Sequence, residues 1–150
     1  MREFTTYMDI ALAEARFAAE RGETPVGAVI VANGKVLAKN GNRTRELSDP
    51  TAHAEILVIR EVCAALGSER LPDVDLYVTL EPCPMCAMAI SSARVARLYY
   101  GAVDPKSGGV EQGPRIFSHS QCHHKPEVYG GISEADSGEL LRGFFSEKRS

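Results

Sequence analysis

No apolar run in this chain approaches the roughly 20 residues of a membrane-spanning helix, which argues against a membrane partner. A secretory leader is not legible either, because the early Arg2 is accompanied by Glu3, Asp9 and Glu14. Four cysteines without such a signal favour metal or free-thiol use over disulfides, and the expected compartment is the cytoplasm. Repeats, low-complexity tracts and interdomain linkers are missing, so residues 1–150 read as one domain with room for a sizeable core. A strongly basic balance is lacking as well. The net charge of −3 does not resemble the basic face usual for nucleic-acid binding. Charge is nevertheless uneven. Between Arg94 and Lys125, basic Arg94, Arg97, Lys106, Arg115 and Lys125 face only Asp104 and Glu111, and His119, His123 and His124 lie in the same stretch. Such a stretch is compatible with an ordinary solvated surface.

What is present alternates between helix and strand. Phe4, Met8, Ala11, Leu12, Ala15 and Ala19 fall at helical spacing over residues 4–21, with Gly22 as a stop. Residues 26–31 read as a buried strand, and Asn33-Gly34 as a two-residue hairpin turn into a second strand at 35–38. A helix is expected from about 50 to 66, ended by Gly67, then a strand at 74–80, a helix at about 83–93 and a strand at 96–101. Residues 104–126, rich in Gly, Pro, Ser and His, should form an irregular segment beside the active site. A closing amphipathic helix at 133–146 would use Ile132, Leu140, Leu141, Phe144 and Phe145. This alternation predicts a three-layer α/β/α domain around a mixed sheet.

Two fragments carry the chemistry: His53-Ala54-Glu55 and Pro82-Cys83-Pro84-Met85-Cys86. They offer one imidazole and two thiolates to a tetrahedral metal and leave its fourth position open, the pattern of a catalytic zinc. The N/S donor set favours zinc over iron. Zinc makes hydroxide available near neutral pH, and Glu55 is placed to carry protons for it. His53 and Glu55 would sit in the first turn of one helix, entered through Asp49-Pro50-Thr51. Pro82 would start another helix, with Cys83 and Cys86 on one face. Both helix N-termini would then favour thiolate and an anion at the metal.

The arrangement H-x-E…P-C-x-x-C resembles the zinc nucleobase deaminases. Along almost the whole chain the closest likeness is to the bacterial tRNA-specific adenosine deaminases. The residues that carry it are Pro25-Val26-Gly27-Ala28-Val29, Gly41-Asn42-Arg43, Thr51 to Glu55, Leu76 to Cys83, Asp104 to Gly108, and Phe144-Phe145. The resemblance implies a cytidine-deaminase-like fold with a central five-stranded sheet and one zinc per subunit. It also implies a homodimer and hydrolytic conversion of adenosine to inosine at the wobble position of a tRNA anticodon stem-loop. Glu55 would be the catalytic acid/base, and His53, Cys83 and Cys86 the metal ligands. Asn42, Val26, Ala54, Asp104, Lys106 and His124 would meet the substrate. From sequence alone Asn42 would be read as a capping or turn residue; the resemblance reverses that.

Two other readings remain open at this point. One is a deaminase of a free base or nucleoside such as guanine or cytosine. The other is a zinc RNA-binding module without catalysis, against which the intact Glu55 and open fourth position count. Glu81, just before Pro82, reads as a helix-start or loop hydrogen-bonding group, and Cys63 as a small buried residue. Cys122 and its histidine neighbours are not expected to bind metal, since a fourth protein ligand would displace the reactive water. His123 departs from the Asn that many relatives carry. Arg43, Lys106, Arg142, Lys148 and Arg149 are candidate phosphate contacts, and Phe144 and Phe145 read as packing residues.

Overall fold

A mixed sheet organises the chain. The computed structural model describes residues 2–149, with side chains described over 7–146. Its strands are β1 (Gly27–Ala32), β2 (Lys35–Gly41), β3 (Asp75–Leu80), β4 (Arg97–Ala102) and β5 (Glu127–Tyr129), in the order β2-β1-β3-β4-β5. β1 is antiparallel to β2 and β3, whereas β3, β4 and β5 are mutually parallel. The helices are α1 (Arg2–Glu20), α2 (Ala54–Leu66), α3 (Pro84–Ser92) and α4 (Glu134–Arg149).

Side-chain alternation makes the three layers. Along β1, Ala28 and Ile30 face a core completed by Val58, Val62, Ala87 and Ile90 of α2 and α3. Val29 and Val31 face the opposite core, with Met8, Ala11 and Leu12 of α1 and with Tyr77 and Tyr99. Each fully buried large aliphatic side chain stabilises by about 1.5–3 kcal/mol. The expected α/β/α architecture with a mixed five-stranded sheet is therefore the observed one. The hairpin turn is also as expected: Asn33 and Gly34 both take positive φ, 51° and 74°, as a type I′ turn requires.

Several expectations are corrected. α2 begins at Ala54, not near 50, because Asp49 folds back on Thr51 instead of capping a helix. Its Oδ1 accepts from Thr51 N at 2.9 Å and from Thr51 Oγ1 at 2.7 Å. α3 begins at Pro84 rather than Pro82. In α1, Ala18 and not Ala19 enters the core, and the Phe4 side chain lies outside the described residues. α4 packs more loosely than its apolar pattern suggests: Ser137 is buried, but Phe145 is 48% exposed.

β5 has only three residues and no run of buried side chains, so its sequence gave no strand signal. It is joined to β4 by a stack of Tyr99 on Tyr129 (5.0 Å between centroids) and by Arg97, which bonds Glu127 at 3.1 Å and Asp75 at 3.0 Å. No described helix is long and apolar enough to cross a membrane.

Candidate active site

The starts of α2 and α3 meet beyond the carboxyl ends of β3 and β4, where sites in such sheets are usually built. His53 is the N-cap of α2 and Cys83 the N-cap of α3, and neither uses its side chain to cap its own helix. Both side chains turn to a common point instead. His53 Nδ1 lies 3.6 Å from Cys83 Sγ and 3.4 Å from Cys86 Sγ. Ligands at zinc's usual bond lengths and tetrahedral angles would show an N–S edge of about 3.6 Å. The three ligand atoms lie within 4.8 Å of one another, the one such group among the described residues. The donor set and its spacing fit zinc.

Electrostatics agree with that use. The hydrogen bond with Cys86 is the largest influence on Cys83 and holds its thiol at about 4, far below the ordinary range. The same bond pushes the Cys86 thiol upward. The bond with Cys83 raises the His53 imidazole. Glu55, in the first turn of α2, is 3% exposed, and burial pushes its carboxyl up to about 7. A carboxyl poised there can both accept and return a proton at neutral pH.

A cavity of about 190 Å³ opens at this corner, lined by Val26, Asn42, His53, Glu55, Cys83 and Asp104. Six of the ten expected site residues thus line one space, and Cys86 is fully buried beside it. Asn42 has two tasks. Its Oδ1 accepts from Ala54 N at 2.8 Å, capping α2, which fixes the carboxamide's orientation and leaves its NH2 group for the cavity. Ala54 itself is fully buried and does not line the space; its contribution is that backbone N–H.

Lys106 is exposed and does not line the cavity; its backbone N–H donates to Asp104 Oδ1 at 3.2 Å. His124 does not line this cavity. Its Nε2 bonds the Val95 carbonyl at 2.7 Å and its carbonyl accepts from Ser91 Oγ at 2.6 Å. That is the C-terminal end of α3, opposite the thiolates, so within this chain His124 is a structural strut and not a cavity residue.

Cys122 is buried with Sγ 3.2 Å from Ser91 Oγ, well removed from the metal ligands, and His123 points outward. Arg43 is already engaged with Asn40 at 2.7 Å and Glu46 at 2.8 Å. Arg142 lines a separate open groove of about 810 Å³ with Val103 and Pro105, the neighbours of Asp104. The side chains of Lys148 and Arg149 lie outside the described residues. Thr24, Leu80, Glu81 and Ser107 complete the cavity lining; Leu80, Glu81 and Ser107 lie in blocks that carry the family resemblance but were given no role in the site, and Thr24 lies outside those blocks.

Residues 1–102 match the family described as the cytidine and deoxycytidylate deaminase zinc-binding region. A tRNA-specific adenosine deaminase of Agrobacterium fabrum is 64% identical over 149 residues, 99% of this chain and 98% of the relative. The chain belongs to the tRNA-specific adenosine deaminases, within the zinc-binding cytidine and deoxycytidylate deaminase family.

Its fold agrees with that membership. A solved structure from a study of A-to-I editing by tRNA:A34 deaminases superposes with a TM-score of 0.90 at 64% identity, covering 91% of this chain and 99% of that one. A guanine deaminase of Nitrosomonas europaea superposes at 0.82, covering 95% and 84%, but at 21% identity it shares the fold alone. The architecture is thus common to deaminases of different substrates.

Proposed function

We propose that this protein hydrolyses adenosine to inosine at the wobble position of a tRNA anticodon, releasing ammonia. The observation that carries the reading is the convergence of His53, Cys83, Cys86 and Glu55 on one small cavity, in a chain of this family. Zinc, when bound, lowers the pKa of water to roughly 7 and supplies a hydrolytic nucleophile at neutral pH.

Residues 1–150 act as one deaminase domain. His53, Cys83 and Cys86 hold the metal, and the N-termini of α2 and α3 stabilise the thiolates beside it. Glu55 takes the proton of the attacking water and delivers it to N1 of the base. It then takes the remaining proton from the new C6 hydroxyl and passes it to the departing amine, so that ammonia leaves and the water oxygen remains at C6 as the carbonyl of inosine. Asn42 and Asp104 hold the nucleoside from two sides, and Val26 packs against its flat face.

The cavity is smaller than the roughly 300–1,000 Å³ of sites that enclose drug-sized ligands, so it suits one base with its sugar-phosphate outside. A single-stranded anticodon loop can supply such a base without the cost of breaking a duplex. The open groove beside Asp104, with Arg142 on its wall, offers a path for the flanking backbone, and exposed Lys106 sits where a phosphate can reach it. The protein works as a homodimer in the cytoplasm.

The test incubates zinc-loaded protein with an anticodon stem-loop carrying adenosine at the wobble position. Mass spectrometry of the digest follows, with free adenosine, adenine, cytosine and guanine assayed in parallel for ammonia. Inosine at that one position with the small molecules inert is the expected result. Turnover of a free base with the RNA unchanged overturns the substrate. Light scattering of the same preparation reports the mass of the assembly.

A further inference from the structure

A buried carboxylate that the chemistry above does not use lies beside the metal corner. Glu81 is 2% exposed, lines the cavity, and directly precedes the Pro82-Cys83 step into α3. Burying a carboxylate is costly unless hydrogen bonds replace its water. Here backbone amides of a single distant segment do so. Glu81 Oε1 accepts from Asp104 N at 3.0 Å. Oε2 accepts from Val110 N at 3.1 Å, Glu111 N at 2.8 Å and Gln112 N at 2.9 Å. Three donors converge on Oε2 and one reaches Oε1, so backbone amides replace much of the water that burial removes. The four bonds tie Glu81 to that segment.

The same segment is pressed against the metal corner from its other side. Gly109 N donates to the Pro82 carbonyl at 2.8 Å. A Cβ on Gly109 would lie 2.5 Å from Pro84 N, and one on Gly108 would lie 2.6 Å from Glu81 Cδ and 2.6 Å from the Asp104 carbonyl. The chain there approaches so closely that only glycine fits. Residues 104–112 contain no helix or strand of their own, so their shape depends on this anchorage. Asp104 and Ser107, the two residues through which the segment lines the cavity, hang from it.

The geometry points to Glu81 as a positioning residue. Its buried carboxylate fixes segment 104–112 as the outer wall of the cavity and so sets Asp104 and Ser107 against the bound nucleoside. The inference rests on the proposed reading of that cavity as the nucleoside pocket. It makes substrate recognition, rather than metal binding, depend on a carboxylate whose hydrogen bonds go to the backbone of the opposite wall.

Glu81→Gln tests it, because the amide is nearly isosteric but aims an N–H at backbone donors. The expected result is one zinc per chain as in wild type and faster hydrogen exchange at the amides of Val110, Glu111 and Gln112. With the wobble stem-loop, KM should rise by about tenfold or more while kcat changes by less than about threefold, the scale expected for lost charge-assisted hydrogen bonds. In an Asp104→Ala background the same substitution should raise KM by much less, since both act through one wall.

Gly108→Ala, which displaces the segment with Glu81 intact, should reproduce the KM rise and keeps the question decidable if Glu81→Gln does not fold. Unchanged exchange at the three amides, or equal KM effects with and without Asp104, overturns the inference. Changed exchange with no stem-loop turnover by the wild-type protein would instead overturn the nucleoside reading and leave the anchorage standing.

Discussion

The two walls of the cavity are built by opposite strategies. The inner wall is made of regular elements: a strand end and two helix starts, with ligands at both N-caps and in the first turn of α3. The outer wall is irregular chain, 104–112, whose shape is set by one carboxylate and two close glycine contacts. Helix starts place atoms through repeated backbone bonds, so the inner wall suits a metal that tolerates little displacement. The outer wall can vary in sequence and shape without disturbing the ligands.

Substitutions in the inner wall should abolish chemistry, and those in the outer wall should alter recognition. Cys83→Ala should have the largest effect. Changes outside the ligand shell alone cost 10–100-fold in affinity, so a lost ligand should exceed about 100-fold and end turnover. Metal content by mass spectrometry checks it, and full zinc occupancy in the variant would remove Cys83 from the ligand set.

Glu55→Gln should lower kcat by about 10²- to 10⁴-fold with zinc retained and KM little changed, read by single-turnover deamination. If KM rose instead while kcat held, the comparison would break, because an inner-wall residue would be acting in recognition.

Asn42→Ala falls between the two walls. Loss of its bond to Ala54 N should cost about 1 kcal/mol, or about 2–4 °C in Tm, and stem-loop KM should rise as well. A lowered Tm with unchanged KM would confine Asn42 to capping.

Lys106→Ala should have the smallest effect: unchanged kcat, slightly weaker RNA binding, and a slope of log affinity against log salt shallower by about one. Titration at several salt concentrations decides this, and an unchanged slope would mean that Lys106 meets no phosphate.

Legibility in the sequence followed the same division. His53, Glu55, Cys83 and Cys86 were readable because their spacing is local and their residue types are demanded by metal chemistry. Sheet and helices were readable from alternation and helical spacing, although the starts of α2 and α3 were placed too early. Asp49 could have capped a helix but bonded Thr51 instead, a choice that residue types do not reveal. His124 docks at the far end of α3 within this chain, a placement that a likeness between sequences does not reveal. Glu81 was readable as a hydrogen-bonding group, but its partners lie 23 to 31 residues away and no local pattern links them. β5 is held by Tyr129 and Glu127, contacts with no periodicity to detect.

Helix starts are ordinarily finished by Ser, Thr, Asp or Asn, whose side chains bond the first exposed amides. At both ligand helices the chain commits that position to a residue facing the metal. On the α3 side, tolerance of this depends on Pro84, which has no amide to satisfy; on the α2 side, Asn42 supplies the missing bond from another part of the chain. Metal then contributes folding energy at the two places where ordinary capping was given up. Zinc is thus a structural partner of the two helix starts as well as a reagent, and its removal should lower the melting temperature of the chain together with its activity.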